Sequence, residues 1–193
     1  MLKKQLENYI AKNVNDDNIG LMHFEEDYAR KHQLLSDDVT VVEKAIHFHV
    51  IELCDKETEE LIHTENTDFL NTPVSYLKKN QNQFIYVESN EFERIGIDAV
   101  ALEFDDVFET YTALFGLKLQ KKFGDAIKGF LEANLSGDGV KYSVMFSGED
   151  GLWDVNFALN FVSGFSENNS FDDVYQMLYH FIFKLGVAVE DAQ

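Results

Sequence analysis

Residues 171–187, FDDVYQMLYHFIFKLGV, narrow most what this chain can fold into. Phe171, Val174, Tyr175, Leu178, Phe181, Ile182 and Leu185 recur at the spacing of a helix core face, and Ser170 with Asp173 three positions on resembles a capping box. Met177, Tyr179, Phe183 and Val187 make much of the opposite side apolar as well. A helix apolar nearly all round must be covered on two sides, by a second layer of its own fold or by another copy of the chain. Those four residues are therefore the candidate interaction surface. An intramolecular core is the commoner way to cover such a face, and a homodimer is the alternative.

Residues 140–161 carry the strongest strand pattern. Val140, Tyr142, Val144 and Phe146 alternate on one run, and Trp153, Val155, Phe157, Leu159 and Phe161 on the next. An even loop within SGEDG sets Phe146 opposite Trp153 and Tyr142 opposite Phe157, so every large apolar side chain falls on one side. The other face, with Lys141, Ser143, Met145, Asp154, Asn156 and Asn160, is left to solvent.

Elsewhere, helical spacing predicts short helices over 2–10 and 25–35, and alternation predicts a hairpin over 45–65. Thr72 before the only proline reads as the cap of a helix reaching residue 79. Strands are expected at 83–89 and 95–102. A long helical tract is expected over 103–135, on the stripe Phe104, Val107, Phe108, Tyr111, Leu114 and Phe115. The sum is an α+β fold: mainly antiparallel strands, with hairpins near 45–65 and 140–161, packed against helices near 103–135 and 171–187. One domain over 1–193 is expected, the alternative being two subdomains, 1–90 and 91–193.

Charge limits the partners. With 16 Lys+Arg against 35 Asp+Glu the formal net charge is −19, which argues against a surface built to follow nucleic-acid phosphates or anionic lipid. Hydrophobic residues at 45% are too abundant for a disordered chain, so the charge belongs to a folded surface. No apolar run approaches the length of a membrane span, and no signal-like segment precedes Glu7. One cysteine excludes an internal disulfide and thiol-rich metal motifs. A cytoplasmic protein without a cofactor is expected.

The sharpest chemical question lies in AIHFHVIELC, residues 45–54. On a regular strand His47 and His49 point to the same side, as paired metal ligands must, and His63 on the return strand is the nearest third ligand. An even turn removes His63 from that side; an odd turn restores it. The turn DKETE lacks the glycine that a three-residue loop prefers, which favours the even count. Cys54 is followed by Asp55, Glu57, Glu59 and Glu60, whose charge opposes an active thiolate. Asp105, Asp106 and Glu109 read as acids at a helix start rather than as a magnesium site. Common nucleotide and hydrolase fingerprints are absent.

Strand pairs between helices in a small acidic chain resemble the general layout of small immunity proteins and secretion chaperones, a resemblance of architecture. The expected function is a non-enzymatic acidic protein-interaction module, regulatory, immunity-like or chaperone-like, binding a protein partner or itself. The alternative is a metal-binding protein or metal-dependent enzyme using His47 and His49.

Overall fold

A computed structural model describes residues 2–139 and 141–192. The chain forms α1 (Leu2–Asn13), β1 (Asn18–Leu21), α2 (His23–Lys31), β2 (Thr40–Glu43), β3 (Phe48–Asp55), β4 (Leu61–Thr64), α3 (Tyr76–Lys79), β5 (Gln83–Ser89), β6 (Ala99–Asp105), β7 (Thr110–Leu117), α4 (Gly124–Asn134), β8 (Tyr142–Ser147), β9 (Leu152–Ala158) and α5 (Phe171–Asp191). Seven strands make one antiparallel sheet in the order β4-β3-β5-β6-β7-β9-β8, while β1 and β2 pair in parallel as a separate ribbon. The fold is α+β.

Helix α5 begins where the capping signal places it. Ser170 Oγ accepts the amide of Asp173, and Asp173 accepts the amide of Ser170. One side of α5 meets the sheet, with Phe181 against Phe157 at 4.9 Å and Tyr175 against Phe48 at 5.2 Å between ring centroids. The other side is covered by the N-terminal helices: Phe24 and Tyr28 of α2 pack edge-on against Phe183, and a Cβ at Gly186 would stand 3.4 Å from Leu2 of α1. A second layer of the same chain thus takes up the two-sided apolar helix. The buried apolar residues from Leu2 to Val189 form one cluster.

The hairpin β8-β9 has the expected register, with Tyr142 opposite Phe157, Val144 opposite Val155 and Phe146 opposite Trp153. Val140 lies outside the described residues. Leu159 and Phe161 fall in a single 3-10 turn after β9 rather than on the strand.

The expected helix over 103–135 is not one helix. Residues 99–117 form the hairpin β6-β7, and only Gly124–Asn134 is α-helical. Val100, Leu102 and Phe104 alternate inward on β6, and Tyr111, Ala113, Phe115 and Leu117 do so on β7. The turn between them throws the two alternations out of phase, and the merged list imitates a helical stripe. Its two central members, Val107 and Phe108, stand 79% and 60% exposed at the tip. Asp105 Oδ1 accepts the amides of both, and Glu109 completes the turn at φ 53°. The acids Asp105, Asp106 and Glu109 therefore belong to a β-turn, not to a helix start. Pro73, likewise, lies in a short antiparallel bridge with Ser170, and the helix expected from it starts later, at Tyr76.

Gly124, the first residue of α4, lies under the Trp153 ring, where a Cβ would approach the ring to 2.5 Å. Ala normally stabilises a helix relative to Gly, but overpacking a core costs about 1–3 kcal/mol. Gly124→Ala is expected to lower stability in urea denaturation and to alter Trp153 emission; an unchanged or raised midpoint would mean that the ring yields freely.

Candidate functional site

The sheet has two unlike faces. Along β5, β6 and β7 every second residue is buried beneath the helices, and the alternate residues remain half-exposed. One row of this open face runs Glu52, Tyr86, Ala101, Leu114, Asn156, Ser143 from β3 to β8. A second runs Cys54, Phe84, Glu103, Thr112, Ala158. Val50, Glu88 and Ala99 align beyond the first row on one side of the sheet, and Gly116, Asp154 and Met145 on the other. Small residues at the centre are thus flanked by acids and by partly exposed apolar side chains. Glu103 is paired with Lys56 at 3.5 Å, and Tyr86 donates its hydroxyl to Glu88. Burial first, and then the Glu88 carboxylate, push the Tyr86 phenol above its ordinary range, so it stays a donor.

The histidines do not converge. His49 is the extra residue of a β-bulge: Phe48 pairs with Ser89 and Val50 with Glu88, leaving His49 unopposed. The bulge lets Phe48 and Ile51 both face the core. His49 Nε2 lies 3.4 Å from Glu88, whereas His47, outside the strand, borders a recess with Asp68 and Asp172. His63 pairs with Leu53, because the turn is longer than a two- or three-residue loop, closing from Asp55 to Glu60, and a second irregularity shifts the register beside Cys54. Among the described residues no group of three or more His, Cys, Asp or Glu is arranged to hold a metal. Cys54 is buried, and burial followed by Glu52 raises its thiol pKa, which opposes nucleophilic use.

Of the expected interaction residues, Tyr179 and Phe183 are buried, at 1% and 4% exposure, so a partner cannot reach them. Met177 and Val187 remain half-exposed. The physical reason is the α1–α2 layer, which covers the second apolar side of α5.

A buried polar network was not legible as such in the sequence. The buried polar residues Glu25, Ser89, Glu91 and Arg94 all belong to it. Glu25, in the first turn of α2, accepts the Met22 amide at 3.0 Å and the Tyr179 hydroxyl at 2.6 Å, and pairs with Arg94 Nη1 at 3.2 Å. Burial first and Glu25 second push the Tyr179 phenol well above its ordinary value, which keeps it a donor. The Arg94 guanidinium lies 4.5 Å over the Tyr9 ring. Glu91 pairs with Lys44 at 2.8 Å, and accepts the Ser89 hydroxyl and the His47 amide. A cleft of about 370 Å³ between α1 and the segment after β5 is bordered by Tyr9 and Arg94. The sequence signal was slight: SNEFERIG places charges among apolar residues with no period to say which are inside.

Burial alone would raise the Glu91 carboxyl, but Lys44, Ser89 and the His47 amide hold it down to about 2. The unfolded chain, with its carboxyl near 4.5, then binds more protons between these values, so the contribution is whole above pH 4.5 and is lost as pH falls toward about 2. Glu91→Gln should be less stable than the parent at neutral pH and should show a shallower loss through that acid range. Parallel denaturation curves for the two proteins would remove this role from Glu91.

Among the described residues no helix is long and apolar enough to cross a membrane. The chain matches no protein-family model, no curated protein and no solved structure.

Proposed function

We propose that this chain is a non-enzymatic acidic binding module, regulatory, immunity-like or chaperone-like in role, that engages a basic protein partner through the open face of its sheet. The observation that carries this reading is the composition of that face: Glu52, Glu88, Glu103 and Asp154 surround Phe84, Tyr86, Leu114 and Met145. Half-exposed aromatic side chains supply contact area at low entropic cost, and the acids favour a cationic partner and steer its approach. The net charge of −19 extends the same preference beyond the face. A lone, buried, unreactive cysteine suits a reducing cytoplasmic compartment. The case for self-association rested on the surplus apolar side of α5, of which Tyr179 and Phe183 are covered within the chain while Met177 and Val187 stay half-exposed. The metal reading keeps no geometric support at His47 and His49.

The test uses an oligo-arginine peptide as probe, with an oligo-glutamate peptide as control, in calorimetric titrations at rising salt. Each exposed ion pair contributes about 0.2–1 kcal/mol, so Glu52→Gln/Glu88→Gln/Asp154→Asn should weaken binding about threefold or more. A charge-matched variant away from the face, Asp16→Asn/Asp17→Asn/Asp37→Asn, should lose less. Equal losses in the two variants would mean that net charge alone attracts the probe, and the open face would lose its claim.

A further inference from the structure

The seven-stranded sheet ends in two unlike edges, β4 and β8. β4 is four residues long, is irregular at Ile62, which has no opposite on β3, and is flanked by Glu59, Glu60 and Glu65. Shortness, a bulge and charge are the usual devices that stop an edge from pairing with another chain. β8 has none of them. It runs six residues, YSVMFS, in unbroken register with β9. It contains neither proline nor a charged residue, although 26% of the chain is charged.

The ladder fixes which way the β8 backbone points. The Lys141 carbonyl accepts the Ala158 amide, so these two residues form a hydrogen-bonded pair, and by alternation Ser143 and Met145 also bond to β9. The amides and carbonyls of Tyr142, Val144 and Phe146 therefore point outward, and among the described residues no strand lies beyond them. Side chains hold the strand in place: Tyr142 donates its hydroxyl to Glu132 of α4, and the Phe146 ring packs edge-on against Trp153. The outward row of donors and acceptors is thus set before a partner arrives, which lowers the ordering cost of binding.

We propose that β8 accepts an extended segment of a protein partner as an added strand, its residues alternately apolar and cationic. The proposal rests on the open face being a surface for a basic protein, and it names how that partner is gripped: main-chain bonds give affinity and alternate side chains give selectivity. On the helix side the added residues lie beside Tyr142, Val144 and Phe146, all half-buried, which suits apolar side chains. On the open side they lie beside Ser143 and Met145, the latter 66% exposed, with Asp154 opposite Met145 on β9. An arginine or lysine stem laid over Met145 carries its charge toward Asp154. Charge also separates the two occupants an edge can take. A second copy brings its own net charge of −19, whereas a cationic segment is attracted.

The probe is a short peptide of alternating arginine and valine, and the control is the same peptide N-methylated throughout, which keeps charge and side chains but cannot pair as a strand. Residue-resolved amide hydrogen exchange is the readout. In the free protein Tyr142, Val144 and Phe146 should exchange faster than Ser143 and Met145. The peptide should slow those three amides several-fold, and the N-methylated control should not. Val144→Pro, which removes one outward donor, should weaken the peptide at least several-fold; the N-methylated control keeps the test independent of that variant's folding. No binding of the peptide, binding that leaves the three amides unchanged, or equal affinity for the control would overturn strand addition. In each of those cases, oligo-arginine binding that still depends on Glu52, Glu88 and Asp154 would leave the open face standing, and its absence would remove both. Slowing of the same amides with rising protein concentration, without peptide, would give the edge to a second copy and overturn the cationic occupant.

Discussion

Glu25 and Arg94 are removed from water together, and the packing of three layers depends on their meeting. Either charge alone would be costly in that interior, since an unpaired buried ion is far less stable than a paired one. Glu25 comes from α2, Arg94 from the turn after β5, and Tyr179 from the middle of α5, so the contact joins the N-terminal layer, the sheet and the central helix. Apolar burial between these layers is larger in area, but it is tolerant of sliding. A carboxylate that must meet a hydroxyl, an amide and a guanidinium at once fixes one arrangement.

The adjoining Glu91 cluster extends that constraint to the strand ends. Lys44 reaches it from the segment after β2, and His47 from the approach to β3. The parallel ribbon β1-β2 is therefore held to the seven-stranded sheet through side chains rather than through a shared ladder. Polar specificity thus sits on the helix-covered side of the molecule, while the opposite sheet face retains acids and half-exposed aromatic rings.

Local patterns were readable where a single period governed a whole element. The β8-β9 register followed from alternation and loop parity, and α5 from its stripe and its cap. Residues 99–117 misled because two strands joined by a turn can reproduce helical spacing, with Val107 and Phe108 filling the gap although both face solvent. The bulge at His49 was equally hidden, since one extra residue resets the alternation without any compositional mark. Which side of α5 would be covered, and by what, depended on the distant helices α1 and α2. Glu25 and Arg94 lie nearly seventy positions apart, and nothing local distinguishes a paired buried charge from an exposed one.

Helix α5 comes after every strand of the described residues in chain order, yet it is packed between the sheet and the N-terminal helices. During synthesis the neighbouring strands β5, β6 and β7 are available to pair early, while the apolar side they create waits for its cover. Until α5 emerges, Ile85, Val87, Leu102 and Phe115 have no central helix to pack against, and α1 and α2 have nothing to close over. A chain that has made its sheet but not yet α5 carries an uncovered apolar face, the kind of surface that makes partly folded species prone to aggregate.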